Sequence, residues 1–230
     1  MAEPDYKKNE QTPDEARKHD LKKIKANLRK IDKARVYRNI GSDAKKAVRK
    51  AEDLLNGRKT EGVYIIDKNG NEVYKDTKNR KKHSVSISVE NWKDNILVHN
   101  HPFDTGRASK LTTRAGLGLS HADINNTIRN DARGIIAKSK DGYTYSMMRP
   151  HGGWTEKQKQ AAANGTIARD WSKLHKKYFS EAFGYYSKSK TSEERNVRMA
   201  RINSAVTARV NREIGKKYGL KIRRTMAASK

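Results

Sequence analysis

The chain has no cysteine among its 230 residues. That excludes disulfides, thiol catalysis and cysteine-ligated zinc, so any metal has to be held by histidines and carboxylates. Long apolar runs are missing as well. None approaches the length of a membrane span, and the opening "MAEPDYKKNEQTPDEARKHD" lacks the apolar stretch of a signal peptide. Both absences lead to the expectation of a cytoplasmic protein with no membrane partner. Hydrophobic residues make up only 34% of the chain and charged residues another 34%. The core is therefore small for this length, and part of the chain is expected to be surface helix or extended arm.

What is abundant is positive charge. The net charge of +26 divides as +8 over residues 1–60, +5 over 61–150 and +13 over 151–230, so the middle segment is the least basic per residue. Basic flanks of this kind favour a polyanion partner, nucleic acid or an anionic surface; plain solubility is the bland alternative.

Three segments follow from the periodicity. Residues 1–58 form a basic helical arm. Thr12, Pro13 and Glu15 have the pattern of a helix N-terminus, and Leu21, Ile24, Leu28 and Ile31 make a narrow apolar stripe. A break at 39–42 precedes a shorter helix ending near Leu55. Residues 59–150 switch to short strands: "GVYIID" and "EVYKD" around the turn residues "KNGN", then "HSVSISV", "NILVHN", "GIIAKS" and "YTYSMM". A helix opening at Ser120 and running to about Asp131 interrupts them. The expectation is α+β, a mixed sheet of five or six strands with at least one central helix. Residues 151–230 return to basic helix. Thr155 with Gln158 and Thr191 with Glu194 are capping pairs, one for a helix with Ile167, Trp171, Leu174, Tyr178 and Ala182 on one face, the other for a helix with Ile202, Val206, Val210, Ile214 and Tyr218. The tail "KIRRTMAASK" is expected to be mobile.

The chemistry concentrates in "ILVHNHPFDTGRASKLTTRAGLGLSHADI". Residues i and i+2 of a strand share a face, so His99 and His101 aim two imidazoles at one point. A catalytic zinc needs a third ligand and an open position, and Asp123, in the first turn of the next helix, is the candidate. Such an ion brings the pKa of bound water toward about 7. Glu61, opening "EGVYIID", is the candidate base and Ser120 the candidate oxyanion donor; Glu72 and Glu90 are alternatives to Glu61. Each residue also has a duller account. The histidines fit an ordinary turn, Ser120 and Asp123 fit a helix cap, and Glu61 fits a strand-edge charge.

The order glutamate, H-x-H-P, S-x-x-D resembles the JAMM/MPN metallopeptidases, also called the JAB domain. The resemblance implies that residues 59–150 are a JAMM-like metal-hydrolase domain, a mixed sheet sandwiched by helices. It implies Zn2+ held by His99, His101 and Asp123, with Glu61 and Ser120 as the catalytic groups. "EGVYIIDKNGNEVY", "ILVHNHP", "LSHADI" and "ARGIIAKSKDGYTYSMMR" look like the version attached to phage head-morphogenesis or minor capsid proteins. That narrower likeness covers about 90 residues and leaves both flanks out. It implies a protein or peptide substrate, capsid proteins as possible partners, and a location in the bacterial host cytoplasm or the virion. The 18 residues from Pro102 to Leu119 are longer than the family's usual gap; they suit an insertion over a substrate groove or a site that no longer closes. Three functions follow in order: a zinc peptidase or isopeptidase, a virion or DNA-associated structural protein using the domain as a scaffold, and a metal-dependent nuclease suggested by the literal His99-Asn100-His101.

Overall fold

Alternation in the middle segment and caps at its helices build a sheet with helices on both faces. A computed structural model describes residues 40–58, 60–78, 87–101, 118–139, 143–183 and 191–226. The helix expected from Thr12 and residues 102–117 of the long gap lie outside these.

The elements in chain order are α1 (Ser42–Leu55), β1 (Val63–Ile66), β2 (Glu72–Asp76), a 3-10 turn (Val89–Asn91), β3 (Ile96–His101), α2 (His121–Arg129), β4 (Gly134–Ser139), β5 (Tyr143–Met148), α3 (Glu156–Ala163), α4 (Thr166–Phe183), α5 (Ser192–Tyr218) and β6 (Ile222–Met226). The strands form one sheet in the order β2-β1-β3-β4-β5-β6. Only β3 and β4 run parallel. The protein is α+β with a mixed, open six-stranded sheet.

The β1–β2 hairpin turns where "KNGN" predicts it. Asp67 Oδ1 accepts from the backbone N–H groups of Asn69 and Asn71, both at 2.8 Å, an Asx-type fold of the loop onto its own side chain. Gly70 takes φ +93° there, and a Cβ at that position would lie 2.7 Å from the Asp43 carbonyl carbon, so the close approach of α1 also requires glycine.

β1 and β3 carry near-continuous apolar residues because both of their faces are covered. α1 packs on β1 and β3, burying Ala44, Val48, Ala51 and Leu55. On the other face Val63, Ile65, Leu97, Ile135, Ala137 and Met147 join one cluster with Ile124 and Ile128 of α2, Ile167 and Tyr178 of α4, and Val206, Val210 and Ile214 of α5. The apolar stripes of the C-terminal helices thus cover the sheet, and the core runs continuously across residue 150. Trp154 anchors the crossing, its indole N–H donating to the Ala132 carbonyl at 3.2 Å.

Residues 83–86 of "HSVSISV" lie outside the described residues; of the rest, Ile87 and Ser88 are in no strand and Val89 begins a 3-10 turn. Two local expectations are corrected. The helix opened by the Thr155–Gln158 capping box stops at Ala163. Gly165 at φ +71° then starts a second helix, α4. The tail is not free through residue 226: Ile222–Met226 adds the sixth strand, antiparallel to β5. Its sequence, "IRRTM", has no apolar alternation to reveal it. The pairing comes from β5 and from Arg224, whose guanidinium stacks 3.6 Å from the Tyr143 ring centroid. Among the described residues no helix is long and apolar enough to cross a membrane.

Candidate metal centre

The site is assembled from β3, the lead-in to β1 and the N-terminus of α2. His99 and His101 leave the same face of β3, with Nε2 atoms 2.9 Å apart. The rings meet edge to face at 70°, with centroids 4.6 Å apart. Asp123 lies in the first turn of α2, its Oδ1 3.4 Å from His99 Nε2 and its Oδ2 3.6 Å from His101 Nε2. Ligand atoms about 2.0–2.2 Å from a tetrahedral ion are about 3.3 Å from one another. The observed spacings bracket that value.

Ser120 caps α2. Its hydroxyl accepts from the Asp123 N–H at 3.1 Å, while Asp123 Oδ2 accepts from the Ser120 N–H at 2.8 Å. The capping box and the orientation toward the imidazoles therefore coexist: one carboxylate closes the box and faces both rings. The cap is what aims it, because a reciprocal box leaves the N3 side chain little freedom. Thr127 Oγ1 donates to the Asp123 carbonyl at 2.6 Å and holds the same turn from below.

Glu61 stands just before β1, whose Val63 is the register partner of His99. One of its carboxylate oxygens and one nitrogen from each imidazole all lie within 4.8 Å of one another. This buried group, two nitrogens and a carboxylate, can hold a metal ion, and Asp123 adds a second carboxylate beside it. The alternatives do not reach the site: Glu72 is exposed on the edge strand β2 and pairs with Lys75, and Glu90 is exposed in the 3-10 turn.

The electrostatics follow from burial and mutual contact. Burial pushes the Glu61 carboxyl up to about 7, with His99 opposing and the Asp123 charge reinforcing the shift. For His99, burial opposes protonation, but the Asp123 carboxylate and then Glu61 outweigh it, and the imidazole sits above its ordinary value. Burial likewise opposes charge on Asp123, yet His99, His101 and the Ser120 N–H hold the carboxyl well below the usual range. The pocket thus favours positive charge between its acids, the condition a cation meets.

Sequence reasoning missed Asn100. Its Oδ1 accepts from the Gly62 N–H at 2.8 Å and its Nδ2 donates to the Thr60 carbonyl at 3.1 Å. Both bonds flank Glu61. No local pattern marks the residue, because its burial and its partners come from pairing with residues 38 and 40 positions away. These bonds also commit the Asn100 amide to the backbone beside β1, so the literal His-Asn-His does not act as three converging ligands.

Comparison with protein-family models, with curated proteins and with solved structures found no match.

Proposed function

We propose that the protein is a zinc-dependent hydrolase of the JAMM type acting on a peptide or isopeptide bond, carried by a phage or its host. The observation that carries this reading is the group of Glu61, His99 and His101, whose ligand atoms lie within 4.8 Å of one another, with the Asp123 carboxylate 3.4 and 3.6 Å from the two imidazoles. The order of those residues along the chain and a sheet covered by helices on both faces support it.

In this reading His99, His101 and Asp123 hold the ion. When bound, zinc lowers the pKa of a coordinated water and polarises a carbonyl. Glu61 takes a proton at its carboxylate and returns it to the leaving nitrogen. The Ser120 oxygen is engaged as an acceptor in the cap, which leaves its single hydroxyl proton to donate to a developing oxyanion.

Metal analysis of protein purified without chelator tests the reading. The wild type is expected to carry about one zinc per chain, lost in His101→Ala and Asp123→Ala. Glu61→Gln is expected to keep the ion and lose chelator-sensitive cleavage across a panel of peptides and isopeptides. Folded wild type that takes up no metal would overturn it.

The charge of +26 favours a second reading, a virion or DNA-associated structural protein. It requires DNA binding that weakens steeply with salt and survives the ligand substitutions.

A further inference from the structure

We propose that Ser139 is a second oxyanion donor of the candidate metal site, its hydroxyl donating to the oxyanion that would develop on a substrate there; the proposal rests on the metal-binding reading above. Ser139 ends β4, the parallel neighbour of β3, and is the register partner of His101. Residues in register on adjacent strands stand about 4.8 Å apart, and their side chains share a sheet face. The Ser139 hydroxyl is therefore on the face that carries both imidazoles. β4 flanks β3 on the side away from β1, so Ser139 and Glu61 enter the site from opposite sides.

The second observation is the state of that hydroxyl. Ser139 is 3% exposed, and its Oγ is buried with no hydrogen-bond partner among the described residues. Buried hydroxyls are almost always paired, in most cases with nearby backbone, because desolvating one without compensation is unfavourable. An unpaired hydroxyl beside a candidate metal ligand is the arrangement of a group whose partner arrives with the substrate. The other register position supports this assignment: His99 is paired with Ala137, which has no polar side-chain atom, so on β4 Ser139 alone supplies a donor beside the two histidines. Ser120 approaches from the cap of α2 and Ser139 from the sheet. Two donors from different elements define an oxyanion position more narrowly than one.

The test uses the full chain loaded with Zn2+ as wild type, Ser139→Ala and Ser139→Thr. Zinc content is measured first, then the affinity for acetohydroxamate, a small oxyanion that binds through zinc, by titration calorimetry. All three proteins are expected to hold equal zinc. Ser139→Ala is expected to bind acetohydroxamate about tenfold or more weakly, the loss of one hydrogen bond to a charged oxygen. Ser139→Thr, which keeps the hydroxyl in a strand that accepts β-branched residues, is expected to bind as wild type does. Equal affinity in wild type and Ser139→Ala, both zinc-loaded, would remove Ser139 from the site and leave the metal reading intact. Loss of zinc in Ser139→Ala would make the residue a support for the ligands and overturn the proposal. A wild type without zinc would remove the metal reading and this inference together.

Discussion

Asn100 brackets Glu61. Its side-chain oxygen takes the Gly62 N–H and its side-chain nitrogen gives to the Thr60 carbonyl, so the residue between the two histidines fixes the backbone on either side of the acid. The Asn100 N–H donates to the Gly62 carbonyl at 3.3 Å and extends the β1–β3 ladder past the end of β1. A carboxylate at the frayed end of a strand becomes a placed group.

Asn100→Ala is expected to lower stability by about 1–3 kcal/mol, the cost of two backbone groups losing buried partners. Amide exchange at Gly62 accelerates while zinc content stays at the wild-type level. Unchanged exchange at Gly62 in Asn100→Ala would count against the bracket.

If the site holds an ion as proposed, its removal is expected to lower the melting temperature of wild type and leave that of His101→Ala unchanged. With ion at roughly a hundredfold excess over Kd, binding to the folded state alone contributes about 2.7 kcal/mol. For a chain of this size that is about 5–10 °C. Thermal melts with and without chelator measure it.

Arg149 ties together two turns whose residues have positive φ, Asp94 at +59° and Asp131 at +52°. Its guanidinium pairs with the Asp94 carboxylate, meets Asp131 Oδ1 at 3.0 Å and donates to the Asp131 carbonyl at 2.8 Å. Arg149→Ala is expected to destabilise by about 1–2 kcal/mol, chiefly through the carbonyl bond, since ion pairs this exposed contribute little. Arg149→Lys does not rescue, because one ammonium cannot replace the fork. Chemical denaturation checks both.

Acid stability can be tested at Asp170, away from the candidate metal site. Lys217 and Tyr218 both donate to Asp170 and hold its carboxyl below the usual range. With a folded pKa below the unfolded value of about 3.9, its contribution is present above that value and is lost as pH falls through the folded one. Asp170→Asn is therefore less stable than wild type at neutral pH, and the gap closes below about pH 4. Melting curves over that range measure the gap.

Gly118 joins the stretch after the histidines to the cap of α2. At φ +149°, a Cβ there would lie 2.6 Å from Thr207 Cγ2 and 3.1 Å from Asn211 Nδ2 on α5. Gly118→Ala is expected to cost about 1–3 kcal/mol by forcing α5 and the Ser120 cap apart, and to weaken zinc binding in step. Denaturation together with zinc titration tests the coupling.

Much of the site was legible because its signals are local. Period-two spacing put His99 and His101 on one face, the Ser-x-x-Asp spacing gave the capping box, and "KNGN" gave the hairpin. The illegible parts all rest on pairing between distant residues. Asn100 bonds across 38 and 40 residues to Gly62 and Thr60. β6 is a strand only because β5 offers it an edge. Ser139 stands beside His101 only because β3 and β4 pair in parallel.

By itself, then, the amino-acid sequence determined the absence of thiol chemistry, the basic character, the short elements and the residue types able to bind an ion. Tertiary structure alone decided that one carboxylate caps a helix and faces two imidazoles at once, which acid stands beside them, and which hydroxyl is left unpaired. The reason is range: caps and alternation depend on neighbours a few residues apart, whereas convergence depends on strand order and register, which form only when the whole sheet is paired.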